Sequence, residues 1–228
     1  MIARCWPVLC PDPDDQQSAA VRDLLRAVRR LDDGAALDTV EPAIAEHGVL
    51  CTWERLIRPV WAALGCGTDP SAAERLFSRS MFQALAVVRQ PWSATGPQVL
   101  LACADEEHQN LPVDVLTAAL AEHGISGCGL GPRVPPRAVA AAAHRLNPVV
   151  VVIWSQTRDT ADPVQIRSLS MDCPDPAVIA AGPGWITTAP TRLAAFSVDV
   201  TATVSRTLAL LGNPRAQPIP GHGYAAAS

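Results

Sequence analysis

The chain has 228 residues, 49% of them hydrophobic, so it is long enough to bury a sizeable core and too apolar to be disordered. Its formal net charge is −4 and all 18 of its basic residues are Arg, a balance that argues against a surface that follows nucleic-acid phosphates. No segment approaches the ~20 apolar residues of a membrane span, and Pro and Asp interrupt the first residues too early for a signal peptide, so we expect a cytoplasmic protein.

The first part of the chain is predicted to form a four-helix bundle over residues 1–92. Apolar residues follow helical spacing in residues 20–34, and Gly34 is expected to end that helix. Three more helices are predicted in "AALDTVEPAIAEHG", "VLCTWERLIRPVWAALG" and "PSAAERLFSRSMFQALAVVR". Pro42 and Pro59 are expected to kink or interrupt the second and third of them.

A linker, "QPWSATGP" at residues 90–97, precedes a second domain over residues 97–228. Five apolar strand segments alternate there with amphipathic helices: "QVLLACA", "ISGCGLG", "PVVVVIWSQ", "AVIAAGPGW" and "LAAFS". Strands that are apolar on both faces indicate a parallel sheet covered by helices on either side. The sequence therefore predicts a doubly wound α/β fold with five parallel strands in flavodoxin-like order, followed by a loose tail from Asn213.

Three polar stretches follow predicted strands and should share the carboxyl edge of the sheet, where such folds bind ligands. In "DEEHQN", we consider His108, Glu106 and Glu107 as acid and base groups and His108 also as a metal ligand, although a solvated acidic loop explains the stretch as well. The predicted ligand-binding residues at this edge are Gln109, Ser155, Gln156, Gly182, Gly184 and Trp185. The glycines of "GPGW" either admit a ligand close to the backbone or form a plain turn.

Other motifs carry little information about function. The seven cysteines have no C-x-x-C spacing and are interpreted as reduced thiols in a core. "GCGLG" lacks the strand-to-helix context of a dinucleotide-binding loop, and Ser155 lacks the G-x-S-x-G context of a hydrolase nucleophile.

The order of these segments resembles a known family over about Asp15 to Gly212. "HGVLCTWERLIRPVWAALG" is similar to the family's helical bundle, and "LLACADEEHQNLPVDVLTAALAEHG", "LGPRVPPRAVAAA", "PVVVVIWSQT" and "VIAAGPGW" are similar to its second domain. The family is the cobalamin-binding effector region of MerR-type transcriptional regulators, including the light-sensing cobalamin photoreceptors. The resemblance implies a helical cap on a Rossmann-like cobalamin-binding domain.

The residues that the family uses around the cobalt are altered in this chain. The family's Glu-x-His-x-x-Gly motif places its cobalt-binding His on Gln109 when the count starts at Gly124, with Glu107 at the Glu position and Pro112 at the Gly position. His108 is displaced by one residue, and a slide of the loop by one residue would restore it. In the bundle, the family's Glu-His pair corresponds to Glu74 and Arg75.

The resemblance implies a small-molecule ligand in the cleft between bundle and sheet, with cobalamin as a candidate cofactor whose binding is altered or lost. Trp53, Glu74 and Arg75 are the expected contributions of the bundle, and Arg75 is expected to face the cleft and hold an anionic group. The family's DNA-binding domain would precede the bundle, so we expect this chain to bind no DNA by itself. The alternatives are an enzyme of specialised metabolism that reuses the cleft and an interaction module that joins a DNA-binding partner, with the bundle as a surface for oligomerisation.

Overall fold

The structure is a computed structural model that describes residues 13–65, 71–88, 98–187 and 194–212. The predicted linker and the predicted tail lie outside the described residues. The predicted four-helix bundle is confirmed. Its helical segments are α1 (Pro13–Arg29), α2 (Asp33–His47), α3 (Val49–Thr52), a π-helical segment (Trp53–Ile57), α4 (Arg58–Leu64) and α5 (Ala72–Leu85).

The boundary between the first two helices differs from the prediction. Helix α1 ends at Arg29, and Leu31 follows in a left-handed conformation with φ of 59°. Asp32 is the N-cap of α2, because its side chain accepts a hydrogen bond from the backbone N–H of Ala35. The prediction that Gly34 ends the first helix is therefore wrong, since Gly34 lies inside the first turn of α2.

The third predicted helix is continuous from α3 to α4 but passes through one π-helical turn. Pro59 has no N–H to donate and its ring crowds the preceding turn, which accounts for the interruption there. The preceding residue, Arg58, donates its backbone N–H to the carbonyl of Trp53, five residues back. The interruption predicted at Pro59 is thus a change of helical pitch rather than a break.

The second domain is the predicted five-stranded parallel sheet. Its strand order is β2-β1-β3-β4-β5, which confirms the doubly wound, flavodoxin-like prediction. The strands are β1 (Val99–Cys103), β2 (Gly127–Gly129), β3 (Val150–Trp154), β4 (Ala177–Ala181) and β5 (Ala195–Ser197). The helices of this domain are α6 (Leu111–Glu122), α7 (Pro136–Leu146), α8 (Pro163–Asp172) and α9 (Val200–Leu210). Short 3-10 helices follow β3 and β4, at Arg158–Thr160 and Pro183–Thr187.

The two faces of the sheet belong to two different cores. Alternate residues of each strand point to opposite faces, so Val99, Leu101 and Cys103 share one core with α6, α9 and the helical bundle. Leu100 and Ala102 face the other core, which α7 and α8 cover. The bundle therefore packs on the α6 and α9 layer, and the core between them is continuous.

Two polar contacts fix the bundle on this layer. The carboxylate of Glu122, at the end of α6, accepts from the backbone N–H of Val49 at 3.0 and 3.1 Å and so caps the first turn of α3. Burial raises the pKa of Glu122, and the hydrogen bond from Val49 opposes that shift. The hydroxyl of Thr201 in α9 donates to Glu54 at 3.1 Å. None of the helices in the described ranges is long and apolar enough to cross a membrane.

Candidate functional site

The strands β1, β3 and β4 end at the same level, so the loops that follow them start side by side. Cys103 pairs with Trp154, and Trp154 pairs with Ala181, in the parallel register. The loops 104–110, 155–162 and 182–187 therefore share the carboxyl edge of the sheet. They carry the predicted site residues Glu106, Glu107, His108, Gln109, Ser155, Gln156, Gly182, Gly184 and Trp185.

Glu107 is the centre of the hydrogen bonds at this edge and is only 2% exposed. Its Oε1 accepts from the backbone N–H of Gln109 at 2.8 Å. Its Oε2 accepts from the backbone N–H of Gln156 at 2.8 Å and from the hydroxyl of Thr160 at 2.7 Å. The carboxylate thus joins the loop after β1 to the loop after β3. Its buried oxygens accept hydrogen bonds from these loops instead of from bulk solvent.

Arg133 attaches the loop after β2 to the loop after β1. This residue was not singled out in the sequence analysis. Its guanidinium lies 2.7 Å from the carboxylate of Glu106, and its backbone N–H donates to the carbonyl of Glu107 at 2.8 Å. Both Glu106 and Arg133 have left-handed backbones, with φ of 63° and 52°. Such conformations are disfavoured for residues other than glycine and persist where neighbouring contacts fix them.

The loop after β3 is braced by hydroxyl groups. The hydroxyl of Ser155 donates to the carbonyl of Thr157 at 2.8 Å and lies 2.7 Å from the hydroxyl of Thr160. Ser155 is fully buried, and these contacts give it a structural role in place of a nucleophile. Two amide atoms nearby, Oε1 of Gln156 and Nε2 of Gln165, are buried without a hydrogen-bond partner among the described residues. Such atoms need a partner from water or a ligand.

The glycines of the loop after β4 allow close packing against the loop after β3. A Cβ on Gly182 would lie 2.3 Å from the carbonyl oxygen of Ser155, and one on Gly184 would lie 2.3 Å from that of Thr157. Gly182 also has φ of 103°. In the structure these glycines allow a close approach to protein backbone, and that they also admit a ligand stays a prediction. Trp185 is fully buried in the core that α7 and α8 cover.

The side chains of His108 and Gln109 make no hydrogen bond to any described residue. His108 is exposed and Gln109 is half-buried. The backbone of Gln109 is fixed on both sides: its N–H donates to Glu107, and its carbonyl accepts from the thiol of Cys103 at 3.5 Å. This loop therefore presents an imidazole and an amide on a fixed backbone.

A polar chain leads from Gln109 into the start of α6. The thiol of Cys103 also lies 3.5 Å from Oδ1 of Asn110, and the Asn110 amide donates to Asp114 at 2.9 Å. Burial raises the pKa of Asp114 to about 6, and the hydrogen bond from Asn110 lowers it in part. Burial, with the charges of Glu107 and Asp114, raises the pKa of Cys103 and keeps it a neutral thiol.

The residues predicted in the bundle have roles in the bundle itself. Trp53 is 2% exposed and packs against Trp61 with ring centroids 5.7 Å apart. Glu74 forms a capping box with Ser71 at the start of α5. Arg75, on the first turn of α5, is exposed. That Trp53, Glu74 and Arg75 contact a ligand stays a prediction.

Solved structures share this architecture at low sequence identity. The chain is similar to the Methanosarcina barkeri monomethylamine corrinoid protein, with a TM-score of 0.65, 12% identity, and coverage of 85% of this chain and 99% of that one. It also matches the methanol:cobalamin methyltransferase complex MtaBC of the same organism, with a TM-score of 0.46 and 13% identity over 91% of this chain and 87% of that one. A cobalamin-binding protein of Desulfitobacterium hafniense DCB-2 matches with a TM-score of 0.43 and 14% identity over 85% and 98%. No protein-family model and no curated protein matches significantly.

The first of these likenesses shows that the chain has the cobalamin-binding fold, and at this identity it shows the fold alone. The residues at the edge of the sheet do not fit a cobalt ion bound by histidine. In the alignment that the resemblance implies, the cobalt-ligand position falls on Gln109, and a carboxamide has no basic ring nitrogen to offer a metal.

Proposed function

We propose that this chain is a small-molecule-binding protein that holds its ligand at the carboxyl edge of the sheet, on the side of the helical bundle, with cobalamin binding altered or lost. The observation that carries the proposal is the contrast within one loop. Glu107 and the backbone of Gln109 are fixed by hydrogen bonds, while the side chains of His108 and Gln109 make none to the described residues. A rigid loop that presents unengaged polar groups is typical of a binding site.

The position of this loop in the fold supports the proposal. Doubly wound sheets bind ligands beyond the carboxyl ends of their strands, at the switch between neighbouring crossovers. Here β1 and β3 are the central neighbours whose connections run in opposite directions, and Glu107 joins the loops that follow them. Gln156 lies in the loop after β3 and Gln165 in α8, and each has a buried amide atom without a partner among the described residues.

Within this proposal the chain acts like the effector half of a MerR-type regulator, without DNA binding of its own and with the bundle as a surface for self-association. This regulator-like role goes beyond the fold and is tested separately. Purified chain should not retard a defined DNA fragment at moderate salt, and its mass by sedimentation should report any dimer.

The enzyme alternative has less support from the geometry. Of the groups proposed for acid and base chemistry, Glu107 is fully engaged in loop contacts, and the predicted ligand-binding residue Ser155 bonds to Thr157 and Thr160. Glu106 is paired with Arg133. Only His108 combines exposure with an unengaged side chain, and one imidazole does not define a reaction.

The test is a ligand titration with variants of the edge. Hydroxocobalamin and aquacobinamide are added to wild-type chain, and binding is followed by equilibrium dialysis and by thermal shift. Gln109→Ala is expected to weaken binding at least tenfold and His108→Ala to weaken it less, because His108 is the more exposed of the two, whereas His144→Ala, an exposed histidine on α7, leaves it unchanged.

If both edge variants bind as tightly as wild type, the ligand lies elsewhere. If neither corrinoid binds, the same variants are used in a thermal-shift screen of organic metabolites. A screen in which no compound stabilises the wild-type chain contradicts the proposal.

A further inference from the structure

We infer that the loop after β1 holds Gln109, and not His108, at the position that faces the ligand, so that this chain recognises its ligand through an amide and supplies no bond to cobalt. The inference rests on the proposed function and specifies which side chain of its site faces the ligand. It depends on whether the loop can slide by one residue, which would bring His108 to the place of Gln109.

The side chains alone would permit such a slide. Moving each residue one place forward puts Glu106 where Glu107 stands, and either glutamate could accept the hydrogen bonds from Gln156 and Thr160. Asp105 would then meet Arg133 in place of Glu106. The chemistry of "DEEH" therefore gives no reason for one register over the other.

The backbone forbids it. Ala104 follows β1 directly and donates its N–H to the carbonyl of Trp154 at 2.7 Å, so it is fixed to the neighbouring strand. The N–H of Glu107 donates back to the carbonyl of Ala104 at 3.0 Å and closes a four-residue turn. A slide would remove one residue from this turn, whose two ends are both anchored.

Neither way of removing that residue is compatible with the rest of the fold. In a turn shortened to three residues, a γ-turn, Asp105 would be the single central residue facing Arg133, and only the rare and strained form of that turn gives its central residue the positive φ that Glu106 has here. Sliding β1 instead would turn each of its side chains to the opposite face. Cys103 and Leu101 would then enter the core that α7 and α8 cover, and Leu100 would enter the core shared with the bundle.

The place that Gln109 occupies is fixed from its other side as well. Its carbonyl accepts from the thiol of Cys103, and its N–H donates to Glu107. Asn110 then leads directly into α6, where Pro112 lies in the first turn and is buried. Gln109 is therefore half-buried and its backbone belongs to the Glu107 network, whereas His108 is exposed.

The test exchanges the two residues without changing the composition of the loop. Aquacobinamide is the probe because it carries no nucleotide base, so any nitrogen bound to its cobalt below the corrin ring comes from the protein. After reduction to Co(II), electron paramagnetic resonance reports such a nitrogen as a triplet splitting. Wild type, His108→Ala and the exchange variant His108→Gln with Gln109→His are compared, and the folding of each is checked by circular dichroism.

We expect wild type with the probe to show no nitrogen splitting, whether or not the probe binds, and the exchange variant to gain it. Splitting in wild type that disappears in His108→Ala overturns the inference. A folded exchange variant without splitting overturns it too, because position 109 would then not face the cobalt; the single variant Gln109→His serves if the exchange variant does not fold. Probe that binds wild type without splitting and binds Gln109→Ala equally well also overturns the inference, because the amide then takes no part in recognition, whereas the proposed function fails only if no ligand binds at this edge.

Discussion

Replacing Glu107 by Gln should destabilise the fold although it keeps the shape of the side chain. The carboxylate accepts three hydrogen bonds with two oxygens, at 2.7 to 2.8 Å. An amide has one oxygen, so its NH₂ group must face either the N–H of Gln109 or the donors of Gln156 and Thr160. A buried donor left without an acceptor costs about 1–3 kcal/mol, and bonds to a charged acceptor are stronger than neutral ones, so we expect a loss of about 2–4 kcal/mol.

The measurement is urea denaturation followed by circular dichroism, with the slope m compared between variants. For a chain of this length the loss corresponds to a fall in Tm of about 5–15 °C. Glu106→Gln is the matched control, because the neighbouring carboxylate is exposed and paired only at the surface, where such pairs contribute about 0–1 kcal/mol. The reasoning is refuted if Glu107→Gln unfolds within about 0.5 kcal/mol of wild type, or if the control costs as much.

Two further changes test the environment of the edge. Asp114→Asn keeps the hydrogen bond from Asn110 and should stabilise the chain at neutral pH. The pKa of Asp114 in the folded chain, about 6, lies above its ordinary 3.8, so the stability of the wild-type chain falls as pH rises between these values. The stability gained by Asp114→Asn should therefore reach at most about 3 kcal/mol above pH 7 and vanish below about pH 4. Asp38→Asn, on the exposed side of α2, is the control, and a gain that is equal at pH 4 and pH 7.5 contradicts the assignment. Gly184→Ala should lower Tm by several degrees, because its Cβ would overlap the carbonyl oxygen of Thr157, whereas Gly34→Ala inside α2 should be neutral or stabilising.

The fold was predictable from the sequence because the apolar strands are short, continuous and bounded by turn residues. The segment 148–156 is one of the five predicted strands, and β3 occupies Val150–Trp154 within it. The boundary at Gly34 failed because "DDG" carries two opposed signals. A glycine can end one helix, while an aspartate can cap the next. The side chain of Asp32 bonds to Ala35, and the capping signal prevails.

The site was predictable in its location but not in its contacts. Parallel strands bring their carboxyl ends to one edge whatever the loops contain, so the sequence order alone places Glu107, Ser155 and Gly182 together. The partners of Glu107 could not be derived in this way. Thr160 and Arg133 come from loops whose paths depend on packing, and neither belongs to a local motif that identifies it.

At this edge, the residues that hold the loops together are different from those whose side chains are left for a ligand. This separation bears on how a cobalamin-binding fold could take another ligand. Glu107, Ser155, Gly182 and Gly184 hold the loops to one another, so changes at these positions act on the fold itself. The side chains of His108 and Gln109 make no hydrogen bond to the described residues, so a change there removes no contact that the loops require. Substitution at positions 108 and 109 should therefore change the stability little, so the same backbone can carry either histidine or glutamine there. Because function depends on such side chains rather than on the fold, the fold by itself does not name the ligand, and under the inference above the residue at position 109 decides whether the protein supplies a bond to cobalt.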